Sequence, residues 1–213
     1  MTKEQEILLA AEEEFFHKGY DAASTASIAK TVGVTHAMVN YYFRSKENLF
    51  FKIFDNHINA FMASLKPLME KEGDYVAVLT NIALAVFDRM NGNRRLPFLL
   101  SDISRNHPDF LLRYKDIFMT VCMDSVKRHA GRFEKAIAKG QMQPSSIHDI
   151  FDTILTLSCT PFLNLSFLVN IACIPDERID AYLASRREEI RRIIEARYRI
   201  IPQVQSPAGA ARG

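Results

Sequence analysis

Cysteine is scarce. Cys122, Cys159 and Cys173 are scattered and odd in number, which offers no disulfide framework and fits a reducing compartment. No apolar run follows Met1, so no secretory leader is expected and the expected location is cytoplasmic. Catalytic signatures are missing as well: the chain has no G-x-S-x-G elbow, no H-E-x-x-H, no P-loop and no Gly-rich dinucleotide turn. The histidines His17, His36, His57, His107, His129 and His148 are dispersed, and none joins a Cys, Asp or Glu at metal-ligand spacing on a helix face. The expectation is a protein that is not an enzyme, with no catalytic residue, no metal and no cofactor.

Charge of one sign is lacking too. The net charge is +2, and the first 55 residues lean acidic. A nucleic-acid binder would have to concentrate its positive charge locally, and Lys30, Arg44, Lys46 and Lys52 can do so if the Glu12–Glu14 run forms a solvated helix face elsewhere. Residues 153–175 carry no charge at all, a length that invites a membrane span. Thr153, Thr156, Ser158, Thr160, Asn164, Ser166 and Asn170 interrupt the run, Pro161 sits within it, and Asp152 and Asp176 flank it without a basic anchor. It reads as a helix buried on all sides, such as a subunit interface, and no membrane partner is expected.

What is present is apolar helical periodicity. The chain has 213 residues, 48% of them hydrophobic, enough for a large core in one or two domains. No convincing period-two strand occurs, so the predicted class is all-α. The spacing predicts helices over about 3–18, 25–32, 36–42 and 45–66, the fourth broken or bent at Pro67. Others follow at about 73–90, 95–105, 108–139, 145–172 and 176–200. Residues 203–213, rich in Ser, Pro, Gly and Ala, read as a disordered tail.

Residues 24–47 are the most informative. Ile28, Ala29 and Val32 line the inner face of one short helix, Gly33 ends it with a residue free to take positive φ, and Thr35 caps the next. Val39 and Phe43, four apart, face inward and leave His36, Ala37, Met38, Asn40 and Tyr41 pointing elsewhere. Two helices joined by a tight turn, the second with an exposed polar and aromatic face, form a DNA-reading helix-turn-helix.

From Ile7 to Phe54 the chain resembles the N-terminal domain of the tetracycline-repressor (TetR) family. The resemblance is carried by Ile7, Ala10, Ala11, Phe15, Phe16, Gly19, Tyr20, Thr25, Ile28, Ala29, Gly33 and Val34, and by Tyr42, Phe43, Ser45, Lys46, Glu47 and Leu49. Ala37, Asn40 and His36 depart from the family's usual residues or fall at a variable place, which bears on which operator is read. The resemblance implies a three-helix DNA-binding domain at 1–50 and a helical effector-binding and dimerisation domain at 51–202. It implies a ligand-responsive regulator, a repressor by expectation, that binds a palindromic double-stranded DNA operator as a homodimer.

On that basis helix 36–42 enters the major groove. Ser24, Thr25, Tyr42 and Lys46 contact phosphate, Thr35 caps the helix, and His36, Ala37, Met38, Asn40 and Tyr41 face base edges or the thymine methyl. The last two long helices are expected to pair two subunits, through Leu168 in the first and the stripe Ile179, Leu183, Ile190, Ile193, Ile194 and Tyr198 in the second. The family's design also implies a small, hydrophobic effector in the C-terminal domain, with Phe87, Met90, Phe98, Tyr114, Phe118, Cys122, Phe151 and Leu155 as candidate contacts. Phe110 shares a face with Tyr114, Phe118 and Cys122, and Asp102, His107 and Tyr114 are the polar candidates. Plain core packing is the usual reading of such a stripe. The alternative to a regulator is a helical interaction module with a vestigial helix-turn-helix, against which Thr35, Tyr42 and Lys46 stand intact.

Overall fold

The computed structural model of the chain describes residues 1–71, 73–118, 131 and 133–200. Among these it contains helices and one isolated bridge, between Met142 and Arg199, but no strand. Helix α1 (Lys3–Ala22) opens with a capping box in which Thr2 and Gln5 exchange side-chain to backbone hydrogen bonds. It breaks at Gly19, whose φ of 77° suits only glycine, and recovers a last turn to Ala22. Helix α2 (Thr25–Val32) is capped by Ser24 and closed by Gly33 at φ 71°, whose N–H returns to the Ala29 and Lys30 carbonyls. Helix α3 (His36–Phe43) begins at Thr35, which accepts from the Met38 N–H at 3.2 Å.

Only Arg44 and Ser45 separate α3 from α4 (Lys46–Glu70). The Ser45 N–H donates to the Phe43 carbonyl at 2.7 Å around Arg44 at φ 64°, ψ −42°. That is a γ-turn of the rare positive-φ kind, and it stores backbone strain. The first four helices close a core of Ile7, Ala11, Phe15, Ile28, Ala29, Val39, Phe43, Leu49 and Phe50. Each of the larger side chains there is worth about 1.5–3 kcal/mol of burial.

Pro67 does not break α4, which continues to Glu70. The carbonyl deprived of its partner belongs to Ala63, an exposed residue.

The rest of the chain surrounds α5 (Tyr75–Gly92), which is buried on several sides through Val76, Leu79, Ala83, Leu84, Phe87 and Met90. Helices α6 (Leu96–Asn106) and α7 (Pro108–Phe118) follow, with Pro97 and Pro108 in their first turns. Residues 133–138 are helical, while 119–130 and 132 of the expected helix 108–139 lie outside the described residues. Helix α8 (Ile147–Leu163) opens with a Ser146–Asp149 capping box. The expected single helix 145–172 divides at Asn164 into α8 and α9 (Leu165–Asn170), three residues beyond Pro161, which has no N–H to give. Helix α10 (Ile179–Tyr198) ends the described chain, and the tail 203–213 lies outside it.

Helices α8 and α10 flank α5. Thr80 donates to the Val76 carbonyl and Ser158 to the Ala83 carbonyl, whereas the buried Tyr198 hydroxyl on α10 has no partner among the described residues. This packing corrects one expectation. Leu183, Ile190, Ile194 and Tyr198 are at most 2% exposed within a single chain, so most of the α10 stripe covers α5 of its own subunit. The exposed apolar surface nearby lies on α8 and α9 instead, at Leu163, Phe167 and Ile171. No described helix is long and apolar enough to cross a membrane.

Candidate nucleic-acid interface and ligand cavity

Val39 and Phe43 anchor α3 by burying one side of it, which fixes what the other side presents. Thr35, His36, Ala37, Met38, Asn40, Tyr41 and Tyr42 are all exposed, Tyr41 at 80%. Ser24 is exposed at the start of α2, and Thr25 is half-buried beside it. Thr25 Oγ1 lies 2.9 Å from His36 Nε2, so the starts of α2 and α3 are pinned to each other across the turn. Neither the spacing nor the composition signalled that contact. Lys30, Arg44 and Lys52 are exposed. Lys46 is held: its ammonium donates to the Asp21 carbonyl at 2.9 Å and lies 4.7 Å over the Tyr20 ring. The Glu12–Glu14 run sits on α1. Glu14 is engaged by Lys18 and by the Ser24 N–H, and despite its burial those bonds hold its carboxyl below the ordinary range.

The end of α1 is joined to the body of the molecule at close quarters. A Cβ on Gly19 would stand 2.9 Å from Asp102 Oδ2, so that carboxylate would have to move to admit one. Asp102 accepts from the Tyr20 N–H, and His107 Nε2 meets Asp21 Oδ1 at 2.9 Å. Tyr20, Phe50, Phe51, His107 and Phe110 form one aromatic cluster, with ring centroids about 5–6 Å apart. Asp102, His107 and Phe110 therefore face the first helix rather than a ligand.

A cavity of about 510 Å³ opens between α4, α5, α6, α7 and α8, within the range of sites for small organic ligands. Its walls are almost wholly apolar, including Phe54, Ile58 and Phe61 of α4, Leu79, Ile82 and Val86 of α5, and Ile150 and Ile154 of α8. Of the residues expected to contact an effector, Met90, Tyr114, Phe151 and Leu155 line it. Phe87 does not: it is buried against Phe162 behind the wall. Phe98 is 44% exposed and away from it. Cys122 and the side chain of Phe118 lie outside the described residues.

The Tyr114 hydroxyl donates to Asp55 Oδ1 at 2.8 Å, and burial together with that carboxylate pushes its pKa well up. Tyr114 therefore stays a neutral wall residue, tied to α4.

His57 and Arg89 went unforeseen. His57 of α4 lies between Glu12 of α1, 2.9 Å away at Nε2, and Arg89 of α5, which reaches Nδ1. The Phe16 ring stands edge-on to the imidazole. Burial holds the His57 pKa below the ordinary imidazole value, with Arg89 pushing the same way and Glu12 opposing. His57, Phe61 and Leu65 follow at four-residue spacing on α4, a periodicity visible in the sequence, but nothing local says which helix that face meets.

Residues 7–53 match the sequence profile of bacterial regulatory proteins of the tetR family. The whole chain is similar in structure to a transcriptional regulator from Streptomyces coelicolor, at 20% identity over 92% of this chain and 98% of that one, with a TM-score of 0.62. It is similar to a protein from Mesorhizobium loti described as a TetR-family transcriptional regulator, at 21% identity over 93% and 97% of the two chains, with a TM-score of 0.53. A further similar structure is the transcriptional regulator FadR from Bacillus subtilis in complex with stearoyl-CoA. It is 18% identical over 87% of this chain and 96% of that one, with a TM-score of 0.60.

Proposed function

We propose that the chain is a DNA-binding transcriptional regulator of the tetR family, that it represses from a palindromic operator as a homodimer and that it is released by a small hydrophobic effector. One observation carries this: α3 is anchored by a buried Val39–Phe43 pair and turns every other side chain of its central turns to solvent. A helix so mounted can lie in a major groove, with Asn40 matched to adenine, Met38 and Ala37 to a thymine methyl, and His36 and Tyr41 to base edges. Ser24, Thr25, Tyr42 and Lys46 frame it at phosphate positions. Residues 1–50 are the reading head, and 51–202 take the effector and pair the subunits.

A single α3 reads few base pairs, so a two-fold dimer doubles the site. The exposed apolar line Leu163, Phe167 and Ile171 on α8 and α9, with Leu168 half-buried beside it, is the surface that favours pairing. The cavity supplies the effector site, and the occurrence of stearoyl-CoA in one similar fold is consistent with a ligand of apolar character. Occupancy can release DNA only if the ligand binds better to a head spacing that misfits the operator, because equal affinity for both states shifts nothing. Helix α4 runs from the head into the cavity wall and is the natural lever.

Selection of bound sequences from a random DNA pool at stated salt tests the reading. Enrichment of a two-fold symmetric site, with half-sites about one helical turn or a multiple apart, is the expected outcome. Recovery of no preferred sequence, or of one unsymmetric half-site bound by monomer, would overturn it.

A further inference from the structure

Arg89 is a cation without an anion. It is half-buried in the cavity wall, and among the described residues no carboxylate pairs with it. Its one hydrogen-bond partner there is His57 Nδ1. A guanidinium can only donate, so Nδ1 must carry a lone pair, and the ring proton sits on Nε2, directed at Glu12. The Arg89 charge is thus answered only across a neutral imidazole, by a carboxylate on another helix. Most of its five donors remain free for a ligand.

The other ionisable groups of the lining point the same way. Among the described residues of the lining, His57, Arg89 and Lys115 are basic and none is Asp or Glu. Two acids on the flanking helices are engaged elsewhere: Glu12 meets the far side of His57, and Asp55 is held by Tyr114 and Arg113. A chamber whose described lining is apolar with basic groups and no acidic one selects for a molecule that is apolar along most of its length and anionic at one end. A planar carboxylate matches the planar fork of Arg89.

Resting on the effector-cavity reading above, we infer that the effector is an alkyl-chain carboxylate whose head binds Arg89 while its chain fills the space between Ile58, Leu79 and Ile154. On binding, a carboxylate held by the free donors draws the Arg89 fork toward the cavity and away from His57. The imidazole, touching Glu12 and Phe16 of α1, is released from its partner on α5.

Titration calorimetry of the full chain with dodecanoate below its micellar concentration, with its methyl ester and with dodecylamine, tests this. Dodecanoate should bind about tenfold tighter than the ester or more, and dodecylamine most weakly. Arg89→Met, which keeps an apolar stem in the wall, should bring acid and ester to the same affinity. Should that variant fail to fold, Arg89→Lys keeps the charge but loses the fork, and should narrow the acid's advantage without abolishing it. Equal binding of acid and ester to the wild type overturns the anionic head and leaves the apolar cavity standing. Binding of neither overturns the cavity reading and this inference together. An undiminished preference for the acid in Arg89→Met, lost instead in Lys115→Gln, overturns the choice of Arg89.

Discussion

Single side chains on α2 and α3 divide into those aimed outward and those already engaged, and the two groups should fail differently when altered. Asn40 is exposed and free to read a base, so Asn40→Ala should cost roughly 1–3 kcal/mol and relax preference at one base pair. Lys46 is bound to Asp21 and stacked on Tyr20, so Lys46→Ala should weaken all DNA sequences alike, flatten the salt dependence and also lower stability slightly. A parallel loss across all sequences for both variants would refute the division. Arg44 offers a test of opposite sign. Its strained γ-turn predicts that Arg44→Gly gains up to about 1 kcal/mol in thermal or chemical unfolding. The same change should weaken DNA binding by removing an exposed positive charge from the docking face, and a loss of stability would refute the strain. The outward set was legible because Val39 and Phe43 lie four apart in a short capped helix, so period alone assigned the faces. The Thr25–His36 contact and the tether on Lys46 were not legible. They depend on how two helices cross and on where the end of α1 comes to rest.

Among the elements, α10 and the α8–α9 pair illustrate how far periodicity reaches. It located an apolar stripe on α10, but the same pattern serves an intrachain seam and an interchain one. What decided was α5, apolar on so many sides that both neighbours must cover it. Ile194→Glu should therefore put an unpaired charge in a fully buried position and unfold the chain, a loss of several kcal/mol. Phe167→Glu and Ile171→Glu, both on exposed sites, should leave melting of the monomer nearly unchanged while abolishing the dimer in sedimentation. A wild-type monomer at micromolar concentration would defeat the pairing surface altogether. The Glu12–His57–Arg89 chain also spans elements and should show in pH. Because the folded state holds the His57 pKa down, the unfolded chain takes up its proton first as pH falls. The contribution of His57 to stability is then complete above about pH 6.5 and declines below it. Urea unfolding from about pH 7 to 5 should show a shallower fall for His57→Gln than for the wild type.

Across the whole molecule, the first four helices and the cavity share α4, and α1 makes further contacts at Glu12, with His57, and at Gly19, beside Asp102. A ligand in the proposed effector chamber would meet the proposed reading head by two routes, one through the tilt of α4 and one through His57 to α1. Coupling of about 1–3 kcal/mol, or roughly 5- to 150-fold in DNA affinity, is the usual scale for such a link. Glu12→Gln weakens the second route without touching the cavity wall. It should leave effector affinity in the absence of DNA within about twofold while reducing the effector's leverage on operator binding, measured as the ratio of DNA dissociation constants with and without ligand. An unchanged ratio would assign all the coupling to α4. The helical class could be read from the sequence because caps, glycine stops and apolar spacing are local. The chamber could not, since its wall gathers residues from five helices and its charged end depends on a three-helix contact.

The aromatic cluster around Phe110 has a practical consequence as well. The chain contains no tryptophan, so its near-ultraviolet emission comes from tyrosine alone. Phe110 is nearly buried against Tyr20, Phe50 and Phe51, where first helix and body meet. A single indole introduced there by Phe110→Trp would be the sole such fluorophore, its colour set by how much water reaches the seam. If operator and effector favour different postures of the head, its emission maximum should lie furthest to the blue in one complex and shift to the red in the other. An identical spectrum in both complexes would mean that the two halves move as one rigid piece.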